Sequence, residues 1–310
     1  MSRGTTTPRS PRGHGSPEAG ALLTSVTLLV GLGVVMNYST TAAQAIGEPF
    51  PPLARRHLVG VVLAAVVAAG VTRAPILLWR RLAQPAWLVS ILLLTLTLVM
   101  GLAANGAQRW LAIPGLPFSI QPAELARVAT VLAVCAVLAN GMERGGARFG
   151  ELRRSALLTA IPVGLLLLQP DFGSAVVLVV VVGTLCFAAG MPLRLLVAPG
   201  LVALVGASLY IALRPYALAR IKGFLDPWMN ASSEGFQLVQ SFVAFGRGGS
   251  FGVGLGDGRQ KLFFLPEAHT DFILAVIAEE LGLLGVLVVV DGGRAGRRGR
   301  ARGRHRRRIG

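Results

Sequence analysis

The residues best suited to chemistry lie late in the chain, in the segment Leu265-Pro-Glu-Ala-His-Thr-Asp271. This segment separates a glycine-rich stretch from an apolar run at 272–290 that is long enough to cross a bilayer. Ionisable groups are costly at a membrane boundary, so a cluster placed there is a functional hypothesis by default. Glu267, His269 and Asp271 are the candidate functional residues: a carboxylate here could act as an acid or base, and Glu267 and His269 could bind a polar substrate.

The local backbone decides between two chemistries for this cluster. On a helix, Glu267 and Asp271 share a face while His269 points away, which suits an acid–base carboxylate. In an extended segment all three lie on one side, which suits a divalent cation. The sequence leaves both alternatives open and assigns no metal ligand. Capping of the following helix explains Thr270 and Asp271, but neither Glu267 nor His269.

Two further features flank the cluster. The glycine-rich stretch Gly246–Gly258 lacks the preceding strand and the Gly-Lys-Ser/Thr ending of a phosphate-binding loop. We predict a flexible outer loop that moves over a cavity, with a plain surface loop as the alternative. Glu279 and Glu280 lie about 12 Å into the apolar run at 1.5 Å per residue. They need partners inside the protein, and Arg127 is one candidate.

The composition is that of a membrane protein. The 310 residues are 53% hydrophobic and 14% charged, against about 25% charged in a soluble domain. The chain is therefore predicted to be an all-α, polytopic integral membrane helix bundle, a single domain over 20–290. A disordered N-terminus (1–19) precedes it, and a large outer loop (214–271) joins helices 7 and 8. The eight predicted spans are 20–38, 58–71, 85–104, 123–140, two within 156–190 that separate at Gln169–Gly173, 193–213 and 272–290.

Arginines orient these spans. Eleven fall in 1–19, 73–84, 141–155 and 191–194, and three fall in the short connections on the other side. The positive-inside rule then puts the N-terminus in the cytoplasm and the loop 214–271 outside. Net charge is +16, with nine arginines in 294–308. On a membrane chain such a tail favours anionic lipid headgroups over nucleic acid, which we exclude as a partner.

Polar motifs recur at the predicted outer face. Because they share one face, they are candidates to line a single cavity, and a turn or cap is the alternative for each. The motifs are Asn105-Gly-Ala-Gln-Arg-Trp110, Gln121-Pro-Ala-Glu-Leu125, Gln169-Pro-Asp-Phe-Gly173, Phe224-Leu-Asp-Pro-Trp228 and the run from Gly246 through Gly282.

With these motifs the chain resembles the SEDS family of bacterial envelope proteins, and its cell-division branch more than its rod-shape branch. The most specific segments are Leu265–Ile273 and Glu279–Gly282, and the resemblance covers about residues 20–290. It implies a peptidoglycan glycosyltransferase that polymerises lipid II at the outer face of the bacterial cytoplasmic membrane, at the division septum. The implied partners are a class B penicillin-binding protein, which is a transpeptidase, and other division proteins.

The resemblance also assigns roles. Asp271 matches the family's essential outer-loop aspartate, and Trp110 matches its tryptophan beside a basic residue. The donor linkage is α and the polymer is β, so a single inverting displacement is the simplest route. It needs a base, either Asp271 itself or a divalent cation that Asp271 holds. Positive charge near the leaving diphosphate would come from Arg109, Arg259 and Lys261, and Asp171 and Glu124 are predicted to shape the cavity.

The chain departs from the family near Val290. Family members typically have ten spans, whereas residues 291–310 form a Gly/Ala/Arg-rich tail that cannot span a membrane. We predict a frameshift or premature end, and a basic disordered tail is the alternative. Two other functions stay open. A lipid II flippase would need polar groups in both halves of the membrane, and a non-catalytic scaffold would only recruit the transpeptidase.

Overall fold

The computed structural model describes residues 17–42, 45, 50–104, 107–112, 119–144 and 149–306. Within these ranges the chain is mostly helical, as predicted. The elements are α1 (Pro17–Ala42), α2 (Pro52–Arg73), α3 (Ile76–Met100), β1 (Leu102–Ala104), β2 (Ala107–Ala112), β3 (Ser119–Ile120), α4 (Pro122–Glu143), α5 (Phe149–Leu168), α6 (Phe172–Ala188), α7 (Leu193–Leu213), α8 (Pro215–Leu225), α9 (Phe236–Gly248), a π-helical turn (Gln260–Phe264) and α10 (Ile273–Arg306).

Each of the eight predicted spans overlaps a helix of the described chain, although the third, 85–104, runs past the end of α3 into β1. The break predicted at Gln169–Gly173 separates α5 from α6. Among the described residues, six helices are long and apolar enough to cross a membrane: α1, α2, α3, α4, α7 and the Ile273–Arg294 part of α10. The helix α6 is apolar but shorter. Proline begins several of these helices, for example Pro52 and Pro122, because its missing N–H is not needed in the first turn.

Three details differ from the sequence prediction. A small antiparallel sheet, β1-β2-β3, follows α3. The outer loop contains the helices α8 and α9. In each of them the apolar residues recur at helical spacing, which favours an amphipathic helix. The segment predicted as a disordered tail continues α10 through Arg306. Parts of three predictions lie outside the described residues: 1–16 of the disordered N-terminus, Asn105-Gly106 of the first polar motif and 307–310 of the basic tail.

The described chain divides into two compact units. The first unit comprises Met1–Ala69 with Leu218–Gly310, and the second comprises Gly70–Ala217. In the second unit, α3 packs on α4, and α5 packs on both α4 and α6. Its core includes Leu94, Leu166 and Leu178, which are almost fully buried.

In the first unit, α10 packs against α1 and α9. The core of this unit joins Met36 of α1 and Ala244 of α9 to Val276 of α10. Leu265 and Ala268 belong to the same core, so the segment that carries the candidate base is held in place by two buried side chains. A close approach of backbones accompanies this packing. A Cβ added at Gly248 would collide with the carbonyl oxygen of Ala278.

Candidate functional site

In the first unit, α10 is interrupted at Gly282, whose φ of 66° and ψ of −163° are not helical. Such a break leaves amides and carbonyls of the helix without intrahelical partners. The glycine-rich stretch supplies them. Val253 and Gly254 donate their N–H groups to the carbonyls of Glu279 and Glu280, at 2.9 and 3.1 Å. Leu283 and Leu284 donate in return to the carbonyls of Gly249 and Ser250, at 2.9 and 3.3 Å.

The glycine-rich stretch is therefore bound to α10 through its backbone. The prediction of a flexible loop moving over a cavity is wrong. The physical reason is that glycine does two things that the sequence does not distinguish. It permits mobility, and it also permits positive φ and close contact between backbones. Here Gly252 has a φ of 82°, and a Cβ at this position would collide with the carbonyl oxygen of Glu280.

The two carboxylates in front of the break are buried, with 0% of Glu279 and 1% of Glu280 exposed. The Glu279 carboxylate accepts hydrogen bonds from the backbone N–H groups of Arg259 and Gln260, both at 3.0 Å. It also pairs with the Arg247 guanidinium at 3.3 Å. A buried carboxylate needs both charge compensation and hydrogen-bond donors, and Glu279 has both.

Glu280 has a separate set of partners. Its carboxylate accepts from the Ser39 hydroxyl at 2.9 Å, from the Gly256 N–H at 3.0 Å and from the Lys261 ammonium at 2.5 Å. Arg127, the partner suggested by the sequence, contacts Glu124 and Ser174 instead. That suggestion is wrong, because the cations that compensate the two glutamates come from α9 and from the loop leading to α10.

The two loop cations differ sharply. Lys261 is 5% exposed, and its ammonium is shared between Glu280 and the Ser39 hydroxyl, the latter at 2.8 Å. A paired, buried ammonium offers little free positive charge to a diphosphate, so the role predicted for Lys261 has weak structural support. The side chain of Arg259 is exposed, and only its backbone N–H is used by Glu279. Arg259 stays a candidate for binding an anionic group.

Asp271 lies in an exposed turn immediately before α10. Leu265–Phe272 is a series of turns, so neither the helical nor the extended alternative describes it. Glu267 has a φ of 55°, and its carbonyl accepts from the N–H groups of Thr270 and Phe272. The Thr270 hydroxyl bonds the Glu267 carboxylate at 3.0 Å. Within the described chain the Asp271 carboxylate has no hydrogen bond or ion pair.

The turns also decide whether the cluster could bind a divalent cation. Throughout the described ranges, no three His, Cys, Asp or Glu side chains are grouped as metal ligands. Glu267 is exposed and bonded to Thr270, while His269 is half-buried. The cluster therefore does not fit a cation, and Asp271 is left to act as a carboxylate without a bound metal.

The second unit brings together three of the predicted polar motifs. Arg109 of β2 donates to the carbonyl of Pro170. The adjacent Asp171 caps α6 by accepting from the Ser174 N–H at 3.3 Å. The Ser174 hydroxyl accepts from Arg127 at 3.2 Å, and Arg127 pairs with Glu124 at 3.0 Å. These contacts connect β2, α4 and α6 in one polar cluster.

This cluster contains buried polar atoms that are not satisfied. The Nε atoms of Arg109 and Arg127 and the Oδ2 atom of Asp171 are buried without a hydrogen-bond partner among the described residues. Groups left in this state are costly unless something binds them. Trp110, next to Arg109, is 38% exposed. An aromatic ring beside a cation is suited to a sugar or another polar ligand with an apolar face.

The sequence prediction gave Arg127 the wrong partner and missed Ser39 and Arg247. The Arg127–Glu124 pair was detectable, because Arg127 follows Glu124 at the i,i+3 spacing that brings two side chains together on a helix. Ser39 and Arg247 had no comparable signature. A serine near the end of an apolar helix and an arginine in a glycine-rich stretch are ordinary in sequence, and only the packing of α1 and α9 on α10 gives them a role.

Known proteins resemble this chain over most of its length. A family model described as "Cell cycle protein", covering FtsW, RodA and SpoVE, matches residues 20–291. The chain belongs to this family. The FtsW/RodA/SpoVE match spans both compact units and all the motifs described above, and it identifies the chain as a multi-pass membrane protein.

Individual relatives are FtsW proteins. The chain is 40% identical over 265 residues to a probable peptidoglycan glycosyltransferase FtsW of Halomonas elongata, covering 85% of this chain and 66% of the relative. It is 39% identical over 274 residues to the protein of the same name from Trichlorobacter lovleyi, covering 87% and 71%. The chain thus spans about two thirds of the length of these relatives.

Two solved structures share the fold. One is described as a peptidoglycan synthase complex that coordinates polymerization and crosslinking. The match has a TM-score of 0.67 at 33% identity and covers 88% of this chain and 74% of that one. The other is the rod shape determining protein RodA of Thermus thermophilus, with a TM-score of 0.58 at 28% identity, covering 88% and 71%.

Proposed function

We propose that this FtsW-family chain is a peptidoglycan glycosyltransferase that polymerises lipid II at the outer face of the cytoplasmic membrane during cell division. The observation that carries the proposal is Asp271, an exposed carboxylate without a hydrogen bond or ion pair in the described chain, at the start of a packed helix. The names of its relatives, probable peptidoglycan glycosyltransferase FtsW, support the same reaction.

The reaction needs one base and one anion-binding group. The Asp271 carboxylate takes the proton of the acceptor sugar's hydroxyl as its oxygen attacks the anomeric carbon of the donor. The bond between that carbon and the diphosphate breaks on the opposite face, so an α-linked donor gives a β-linked product. The departing lipid diphosphate gains negative charge, which the exposed guanidinium of Arg259 can stabilise.

The polar cluster of the second unit is proposed to bind substrate. Arg109 and Arg127 have unpartnered Nε donors, and Asp171 has an unpartnered acceptor, among the residues described. Lipid II carries diphosphate oxygens, sugar hydroxyls and amides that would satisfy such groups. Trp110 and Glu124 stay candidate substrate contacts in this cluster, as do Glu267 and His269 in the first unit.

Asp171 can be tested for a role beyond capping. Replacing it with Ala should lower the free energy of unfolding by about 1 kcal/mol, because the cap of α6 is lost. Asn caps about as well as Asp, so D171N should keep the thermal stability while raising the KM for lipid II. Thermal unfolding and steady-state polymerisation of both variants measure this. An unchanged KM in D171N would mean that Asp171 is only a helix cap.

A partner transpeptidase fits the proposal. The solved peptidoglycan synthase complex that shares this fold is described as coordinating polymerization with crosslinking. We propose that this chain likewise acts beside a class B penicillin-binding protein at the division septum, together with other division proteins.

The function itself is tested with lipid II presented only in the outer leaflet of proteoliposomes, with and without the partner transpeptidase. We expect glycan polymer, measured by gel electrophoresis of the products. Transfer of lipid II to the inner leaflet without polymer would identify a flippase instead. If neither polymer nor transfer is observed with the partner present, a scaffold role remains and the proposal is contradicted.

A further inference from the structure

Two adjacent buried carboxylates, Glu279 and Glu280, have no role in the reaction proposed above. Neighbouring residues on a helix point about 100° apart. Both nevertheless bind the same short segment, residues 256–261. Glu280 accepts from the Gly256 N–H and the Lys261 ammonium, and Glu279 accepts from two successive N–H groups at Arg259 and Gln260. Of these four donors, three are backbone groups, so the two carboxylates fix the backbone of this segment more than the position of any one side chain.

We propose that Glu279 and Glu280 are positioning residues that anchor the segment 256–261 and thereby set the position of the candidate base Asp271. The proposal rests on the function proposed above, since it assigns a task within that reaction. Neither glutamate touches the substrate in this account. Each acts through the backbone that it holds.

The connection from the anchor to Asp271 is short and packed. The Gln260 N–H bonds the Glu279 carboxylate, and the Gln260 carbonyl accepts from the Leu265 N–H at 2.9 Å. Leu265 and Ala268 are 3% and 4% exposed in the core that contains Val276. Residues 260–279 therefore form a loop closed at its base by the carboxylate, with Asp271 on its exposed side.

The same two carboxylates also fix the backbone of Arg259 and connect the segment to α1. The bond from the Arg259 N–H to Glu279 fixes the backbone of the residue whose guanidinium is exposed. Ser39 of α1 bonds both the Glu280 carboxylate and the Lys261 ammonium. This gives Lys261 a task that suits its burial. It neutralises Glu280 and helps to hold the segment, since a buried charge is stable only when it is paired and hydrogen-bonded.

Glu279 permits a graded test, because its two backbone bonds use two oxygens. Glu279→Gln keeps one acceptor oxygen, while Glu279→Leu keeps none and is similar in volume. The full chain in proteoliposomes would be measured for kcat and KM with lipid II, and hydrogen–deuterium exchange would report on the amides of 256–261. We expect exchange to rise and kcat to fall in the order wild type, Gln, Leu. The loss in Leu should be between about tenfold and about a hundredfold, as for a misplaced catalytic group. KM should stay within about twofold, because the anchor does not touch substrate.

A matched control separates positioning from stability. Leu138→Ala removes buried apolar volume from the core of the second unit, which contains no residue of 256–279. If it lowers the melting temperature as much as Glu279→Gln but leaves kcat and exchange near wild type, the positioning role is supported. Activity that falls in proportion to melting temperature in both variants would overturn it.

The test also distinguishes this proposal from the function on which it rests. An inactive wild-type chain would contradict the glycosyltransferase function, and the exchange measurement would still decide whether the carboxylates anchor the segment. Unchanged exchange at 256–261 in Glu279→Leu would overturn the anchor whatever the activity. Raised exchange with wild-type kcat would overturn the link to Asp271.

Discussion

Asp271→Asn is expected to lower lipid II polymerisation by about 10²–10⁴-fold, the usual contribution of a general base. The amide has nearly the shape of the carboxylate but cannot take the proton of the acceptor hydroxyl. Asp271→Ala should be inactive for the same reason. Initial rates of polymer formation from lipid II in proteoliposomes, at matched protein concentration, measure the effect.

Folding should be unaffected by these substitutions. Asp271 is exposed, and its side chain contributes no hydrogen bond or ion pair within the described structure, so both variants should unfold at the wild-type temperature in detergent. Glu234→Gln is the matched control, because it removes another exposed carboxylate from the same outer loop, at a residue with no assigned role. Full polymerisation by Asp271→Ala would remove this aspartate from the mechanism. Equal losses in Glu234→Gln and Asp271→Asn would point to the general electrostatics of the outer loop.

Gly248→Ala should strongly destabilise the first unit. The added Cβ would collide with the carbonyl oxygen of Ala278, which is backbone and cannot turn away as a side chain would. Overpacking of this kind costs typically 1–3 kcal/mol, and we expect a loss of about 3 kcal/mol in the free energy of unfolding. Thermal unfolding in detergent, followed by circular dichroism, would show the lower melting temperature.

The same helix offers a control two residues away. A Cβ added at Gly246 of α9 would meet no other atom within 4 Å among the described residues. Gly246→Ala should therefore be neutral or stabilise slightly, by about 0.5–1 kcal/mol, since Ala favours the helical backbone over Gly. If both substitutions were equally tolerated, the close contact of α9 with α10 would not exist in the membrane.

The elements of the fold could be predicted because each depends on nearby residues. A span needs about 20 apolar residues in succession, and such runs are visible without any tertiary information. The break at Gln169–Gly173 was equally local, since proline and glycine interrupt a helix wherever it packs. The short strands between α3 and α4 were not predicted, because strands of two to six residues carry too little periodicity to be recognised.

The candidate site was predicted less completely. The motifs and their resemblance to a family led to Asp271, Arg109 and Trp110, whose roles stay predictions. The cation predicted for the buried glutamates, Arg127 on the fourth predicted span, was wrong, because a buried charge requires a partner but does not indicate which segment provides it. The cations that pair with them, Arg247 and Lys261, both lie in the long outer loop before α10.

By itself, the sequence determined that this is a multi-pass helical membrane protein of the FtsW/RodA/SpoVE family. Apolar runs and short motifs each consist of residues that are close together in the chain, so they can be recognised without the tertiary structure. Tertiary structure alone decided what the glycine-rich stretch and the glutamate pair do. Ser39 lies 241 residues before Glu280, and Gln260 lies 19 before Glu279. Such pairings depend on which helices pack closely enough for their backbones to touch. No pattern of neighbouring residues in the sequence indicates which helices do so.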